Sequence, residues 1–271
     1  PLVLPYFGEL APWQQTFVYL GLPGILLSIM ILVIREPSRR PSTRDPESSS
    51  DTEELINFYK RNFKTIFFHH LGNLSLVLTG YAFVFWSITF FVRVHEMNAA
   101  EASQIFGWIF IFFGPMGPFL VAYVARTLSK KGHRDANITA GMLGGLITIP
   151  AVLIIQIAPS PFWAFVFYAP ALAAVNSPFG IASGALPVIT PPHLRARVAA
   201  VYMLTGAIGM MFGPPLAGAF NEYIFPGPEG VRYSMITMTC FFGITGVALL
   251  QLGRKHYALT MKNTESWAKD S

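Results

Sequence analysis

The chain has 271 residues, 53% of them hydrophobic and 12% charged, with a mean hydropathy of +0.48 and a formal net charge of +5. Soluble domains carry roughly 25% charged residues, so the composition excludes an ordinary water-soluble domain and predicts an all-α polytopic membrane protein. Cys240 is the single cysteine, which excludes an intrachain disulfide and a cysteine-based metal cluster.

In chain order, seven stretches are apolar over the roughly 20 residues that a helix needs to cross ~30 Å of hydrocarbon. They are 15–34, 67–92, 105–125, 138–157, 162–189, 198–220 and 233–252. Turn-formers separate them, among them "SKKGHRD", "APSP" and "FPGPEG". The segment 36–50, rich in Pro, Ser and charge, has a composition that does not fold alone. After it, Ser50 or Thr52 with Glu53 reads as a helix N-cap pattern. The stretch "EELINFYKRNFKTIFFHH" gathers Leu55, Phe58, Tyr59, Asn62 and Phe63 near one face. This predicts a short amphipathic helix on the membrane surface, or else a frayed extension of the second span.

Of the 19 Lys and Arg residues, all but Arg93 and Arg232 fall on alternate connectors. Cytoplasmic loops accumulate basic residues, so the expected topology has the N-terminus outside and the C-terminus cytoplasmic. That placement explains the basic pI without nucleic-acid binding. Pro1 opens the chain in place of Met, and no leader pattern precedes the first span; the chain is expected to continue a longer protein.

All 14 acidic residues lie in connectors or ends, and no Lys or Arg sits mid-span. Intramembrane ionisable groups mark proton relays and ion paths, so no such path is expected here. An intramembrane enzyme needs an Asp pair, a Ser–His pair or metal ligands on facing helices; none is present, and neither catalysis, metal nor cofactor is expected. His69 and His70 stand at the start of the second span and read as interfacial anchors in preference to a proton switch. A seven-helix receptor with its N-terminus outside is the alternative from another class. It lacks a mid-span Lys for a retinal and any "DRY" or "NPxxY" pattern.

Two internal echoes bear on a site. "FGPMGP" in the third span and "FGPPLAG" in the sixth put Gly114, Pro115, Gly213 and Pro214 where helices kink. Asn73, Gly80 and Ser87 recur every seven residues on the second span, as Asn176, Ser183 and Thr190 do on the fifth. Small and polar residues on one face of a membrane helix serve either helix packing or a polar cavity wall.

Several stretches resemble the major facilitator superfamily, and within it the Spinster-like branch. They are the "REPSR" exit, "GYAFVFWSITFF", "EASQIFG", "KKGHRDA" and, most specifically, "ITPPHLRARVAAVYMLTGAIGMMFGPPLAG" at 189–218. The resemblance spans essentially the whole chain and implies two six-span halves joined by a long cytoplasmic loop. Residues 1–34 would hold the last helix of the N-terminal half, 35–66 the inter-half linker, 67–253 the six-helix C-terminal half and 254–271 a cytoplasmic tail. The chain departs from the superfamily's loop motif, with Ala125 before Arg126 and Leu120–Val121 at the usual glycine positions.

The resemblance implies alternating-access transport of a small organic or amphipathic, lipid-like solute, with membrane lipids and the other half of the transporter as partners. The expected cavity residues are Asn73, Tyr81, Trp86, Ser87, Asn176, Ser183 and Tyr202. Arg126, Arg195 and Arg197 are expected either to close a gate or to anchor to headgroups.

Overall fold

The computed structural model describes residues 11–33 and 49–267, excluding the side chains of residues 12, 49–51, 179, 181–183 and 265–267. The "REPSR" exit, most of the linker and the end of the tail lie outside that range. The regular structure of the described residues is all helical, with no strand.

The chain divides into two units, Pro1–Glu47 and Ser48–Ser271. The first holds α1, Pro12–Val33, 22 residues with Pro23 inside it. Its side chains are apolar all round, as a lipid-crossing helix requires, and Phe17, Leu20, Leu26 and Leu32 are all exposed. At ~1.5 Å per residue it matches the hydrocarbon thickness.

The second unit begins with the amphipathic α2, Ser49–Arg61. Ser50 and Thr52 lie inside this helix, so neither caps it. Its apolar face does not rest on a membrane surface: Phe58 is 6% exposed and joins the core, with Leu55 and Tyr59 packed against the same cluster. Asn62 breaks the helix, and its side chain bonds back to the Phe58 carbonyl at 3.0 Å. α3, Phe63–Val94, follows with 32 residues.

Then come α4, Ala99–Phe113, and α5, Met116–Lys130, nearly continuous across Gly114–Pro115. α6 is Ala136–Gln156, and α7, Pro161–Ile189, runs through three internal prolines. After a single 3-10 turn, Pro192–Leu194, α8 spans Arg195–Ala219 and ends in a π-helical turn, Phe220–Ile224. α9, Gly230–Met238, continues through a second π turn, Thr239–Gly243, into α10, Ile244–Trp267.

Among the described residues, six helical runs, those built on α1, α3, α4–α5, α6, α8 and α9–α10, are long and apolar enough to cross a membrane. α7 adds another long helix of 29 residues. The chain is therefore a multi-pass membrane protein. α10 carries its helix well past 252, through Arg254, Lys255 and Lys262, so most of the expected tail is helix.

α3 is the central helix: 56% of its apolar window is buried, against 17% for the α8 run. Helices in lipid gain little from apolar burial against one another, so small residues that allow close backbone approach hold the bundle. Gly117 of α5 presses so closely on α7 that a Cβ there would lie 2.0 Å from the Ala173 carbonyl oxygen. Gly213 does the same between α8 and α3, 2.6 Å from the Leu78 carbonyl oxygen.

Candidate functional site

A groove follows α3 and α8, flanked by α7. One end carries α2, Arg195 and Arg254 and is called the basic end below. There the groove is a 470 Å³ cavity with Val77, Tyr81, Pro178, Tyr202 and Met210 in its wall, and Arg195 is the charged residue of that lining. Tyr81 and Met210 continue into a 510 Å³ stretch with Trp86, Met211 and Pro214. Trp86 and Pro215 continue in turn into an 870 Å³ vestibule at the far end, where Arg93, Asn221 and Glu222 stand. A 140 Å³ side cleft between α3, α4 and α7 is walled by Tyr81, Phe110 and Asn176. The groove is apolar along its middle and charged at both ends.

Helical geometry accounts for these walls. Val77, Tyr81 and Val84 stand at i, i+4 and i+7 and so share one face of α3. On α8 a Cβ at Gly206 would meet nothing within 4 Å, so the missing side chain leaves space beside flexible Met203 and Met210. Pro214 and Pro215 donate no backbone hydrogen bonds. Trp86 Nε1 donates to the Pro214 carbonyl at 2.9 Å, tying α3 to α8 at that point.

Of the residues singled out in the sequence, Tyr81, Trp86, Asn176 and Tyr202 line the groove. Asn176 Nδ2 also bonds back to the Leu172 carbonyl at 2.9 Å. Asn73 and Ser87 do not line it. Asn73 is 1% exposed, with Nδ2 on the His69 carbonyl at 2.8 Å, and Ser87 is hydrogen-bonded to the Phe83 carbonyl and the buried Tyr168 hydroxyl. Ser183 lies within α7, its side chain outside the described set. Gly114 and Pro115 form the α4–α5 break, whereas α8 runs unbroken through Gly213 and Pro214. Arg195 Nε donates to the Thr190 carbonyl at the end of α7, 3.2 Å away; Arg126 is exposed and Arg197 half-buried.

Sequence reasoning missed three features of the basic end. Arg254 Nε bonds Asp135 Oδ2 at 2.7 Å, and Thr139 donates to the same oxygen, joining the α5–α6 connector to α10. Burial raises the Asp135 pKa, but these hydrogen bonds and the guanidinium charge outweigh it and hold the carboxyl below its usual range. Glu54 of α2 pairs with His193 at 2.8 Å. His69 and His70 are not interfacial anchors: both are buried, His69 completely. The helix begins at Phe63, upstream of the expected start, and so carries both rings into the bundle.

No family profile and no curated protein sequence matches the chain. Two solved structures of a bacterial homolog of the human lysosomal transporter Spinster do match. Its inward-facing, occupied conformation gives a TM-score of 0.64 at 23% identity, covering 91% of this chain and 58% of that one. The inward-facing, unoccupied conformation gives 0.56 at 21% identity, covering 95% and 60%. The chain shares their fold. It spans about three-fifths of the length of those structures.

Proposed function

We propose that the second unit is a six-helix half of an alternating-access transporter and that the groove is its share of a solute pathway. The observation that carries this is the wall itself. It runs along α3 and α8 between charged ends, and its middle is apolar with neutral polar groups from Tyr81, Asn176 and Tyr202. Such a wall suits a small organic or amphipathic, lipid-like solute better than an ion, because an ion in an apolar stretch has nothing to replace its hydration. The fold shared with a transporter homolog supports the reading.

In this reading α1 is the last helix of the other half, 35–66 is the linker, and the complementary half and membrane lipids are the partners. Arg195, at the basic end of the groove, meets an acidic or anionic group there. Arg126 and Arg197 stand at the same end as gate or headgroup contacts. The Gly114–Pro115 break and the Gly213–Pro214 contact are the points about which helices rock. Confinement of Lys and Arg to alternate connectors puts the basic end in the cytoplasm.

The test is uptake of single-chain lysophospholipids and sphingoid bases into liposomes by the full-length protein. Asn176→Leu with Tyr202→Phe is expected to lower uptake about tenfold or more, on the scale of two lost hydrogen bonds, with thermal stability retained. Unaltered uptake of every probe refutes the pathway.

A further inference from the structure

Three helices meet at His69 and His70. Neither ring nitrogen of His69 has a hydrogen-bond partner, and it is fully buried. His70 is 8% exposed; its Nδ1 lies 3.0 Å from the Ile66 carbonyl, while Nε2 has no partner. The Tyr59 hydroxyl on α2 and Asn73 Oδ1 on α3 are also buried without partners. Ring centroids link the group: Tyr59 to His70 at 6.4 Å, His69 to His70 at 5.5 Å, and Tyr202 to the two imidazoles at 5.4 and 5.5 Å. Tyr202 thus stands between the groove and the histidine pair.

We propose that His69 and His70 form a proton-binding site that sets whether α2 and the Tyr202 segment of α8 stay docked on α3. A neutral imidazole holds one N–H donor and one acceptor nitrogen, and a protonated one holds two donors and a charge. Unpartnered polar atoms are tolerated in this pocket, but a charge placed there needs an acceptor or water.

Among the described side chains, none on the surrounding elements supplies a buried counter-charge. On α2, Glu54 is engaged by His193, while Glu53, Lys60 and Arg61 are exposed. On α3 itself Lys64 is exposed. Arg195, which opens α8, bonds the Thr190 carbonyl, and Arg197 beside it is another cation. On α10, Thr260 pairs with Thr65, His256 stacks on Phe68 and Lys262 is exposed. Charging both adjacent rings adds mutual repulsion. Protonation therefore favours a rearrangement that brings water to the rings, and the contacts that part are those of Tyr59 and Tyr202. One proton is thereby read out at the linker helix and at the groove wall together.

The site does not depend on the transport reading, and its test needs no substrate. Amide hydrogen exchange of the full chain in nanodiscs is compared at pH 7.5 and 5.5, corrected for the intrinsic pH dependence of exchange. Protection of α2 and of the α8 segment around Tyr202 is expected to fall severalfold in acid, with α6 unchanged. His69→Phe with His70→Phe keeps both ring volumes without the proton and is expected to abolish the effect.

His193→Gln removes the other titratable tie on α2. The loss of protection is expected to persist in this variant. The proposal is overturned if wild-type α2 shows no acid change, if the change survives the double substitution, or if it vanishes with His193→Gln. Should the double variant fail to fold, imidazole NMR of the wild-type chain decides. A His69 or His70 titration coincident with the exchange change upholds the site, and an exchange change without one rejects it.

Discussion

Two faces of α3 carry polar residues, and they do different things. Asn73, Gly80 and Ser87 recur every seven residues; Asn73 and Ser87 face protein, while Gly80 packs on α7 and also borders the side cleft. Asn73 and Ser87 are 1% and 4% exposed, and a Cβ at Gly80 would meet Val175 of α7 at 3.0 Å. The neighbouring face, Val77, Tyr81 and Val84, lines the groove and its side cleft and is mostly apolar. In lipid, apolar burial does little to join helices, so regular spacing of small and polar groups marks the packing seam. A surface that meets an amphipathic solute looks instead like ordinary membrane helix with a few aromatic hydroxyls. Polar periodicity therefore pointed one face away from the groove.

The contrast is sharpest where a single methyl is added. Gly117→Ala forces a Cβ into the Ala173 carbonyl and is expected to lower stability by ~1–3 kcal/mol, seen as a depressed thermal unfolding midpoint in detergent. Gly206→Ala, in the groove, has nothing within 4 Å of its new Cβ and is expected to stay within about 0.5 kcal/mol of wild type. Equal midpoints for the two variants break the distinction between seam and groove. Ser87→Val comes next. It strips the Tyr168 hydroxyl, on a residue 1% exposed, of its partner, for an expected loss of ~1–3 kcal/mol. Uptake normalised to folded protein stays at the wild-type level if Ser87 belongs to the seam alone.

How much of this was legible follows from the range of each signal. Long apolar runs and turn-formers are local, so the spans stood out, with errors confined to their ends. The end error at α3 matters most: the true start at Phe63 moves His69 and His70 from an apparent interface into the core. The apolar face of α2 was equally local, but periodicity says only that such a face is covered, not by what; Phe58 enters the protein core. The Asp135–Arg254 pair joins residues 119 apart, and no short-range pattern encodes it. The groove stood in between. Tyr81, Trp86, Asn176 and Tyr202 stand out as polar or aromatic residues in spans, whereas Val77, Met203 and Met210 are indistinguishable from lipid-facing residues until α3 and α8 are placed side by side.

Trp86 belongs to both faces, since it lines the groove and also donates to the Pro214 carbonyl. Trp86→Phe keeps an aromatic ring and removes the donor. A loss of about 1 kcal/mol is expected, with faster amide exchange confined to α8 around Pro214. A uniform change across the bundle argues against a local tie.

The smallest expected effect lies at the basic end, in the Asp135–Arg254 pair, whose side chains are 15% and 32% exposed. Exposed pairs contribute roughly 0.2–1 kcal/mol, and Asp135→Asn is expected near the upper figure because Thr139 shares the carboxylate. The sign with pH follows from a carboxyl held below its usual range in the folded state. Its contribution is complete above the unfolded value of about 3.9 and is lost as pH falls through the folded value. The gap between wild type and Asp135→Asn in thermal midpoint is therefore constant from neutral pH down to about 5 and closes below 4. The histidine site responds instead to milder acid, where rings that open to water take up a proton. Acid titration of one chain thus separates two devices at the same end of the bundle: a loosening of α2 at mild acidity, and a loosening of the α6–α10 tie only in strong acid.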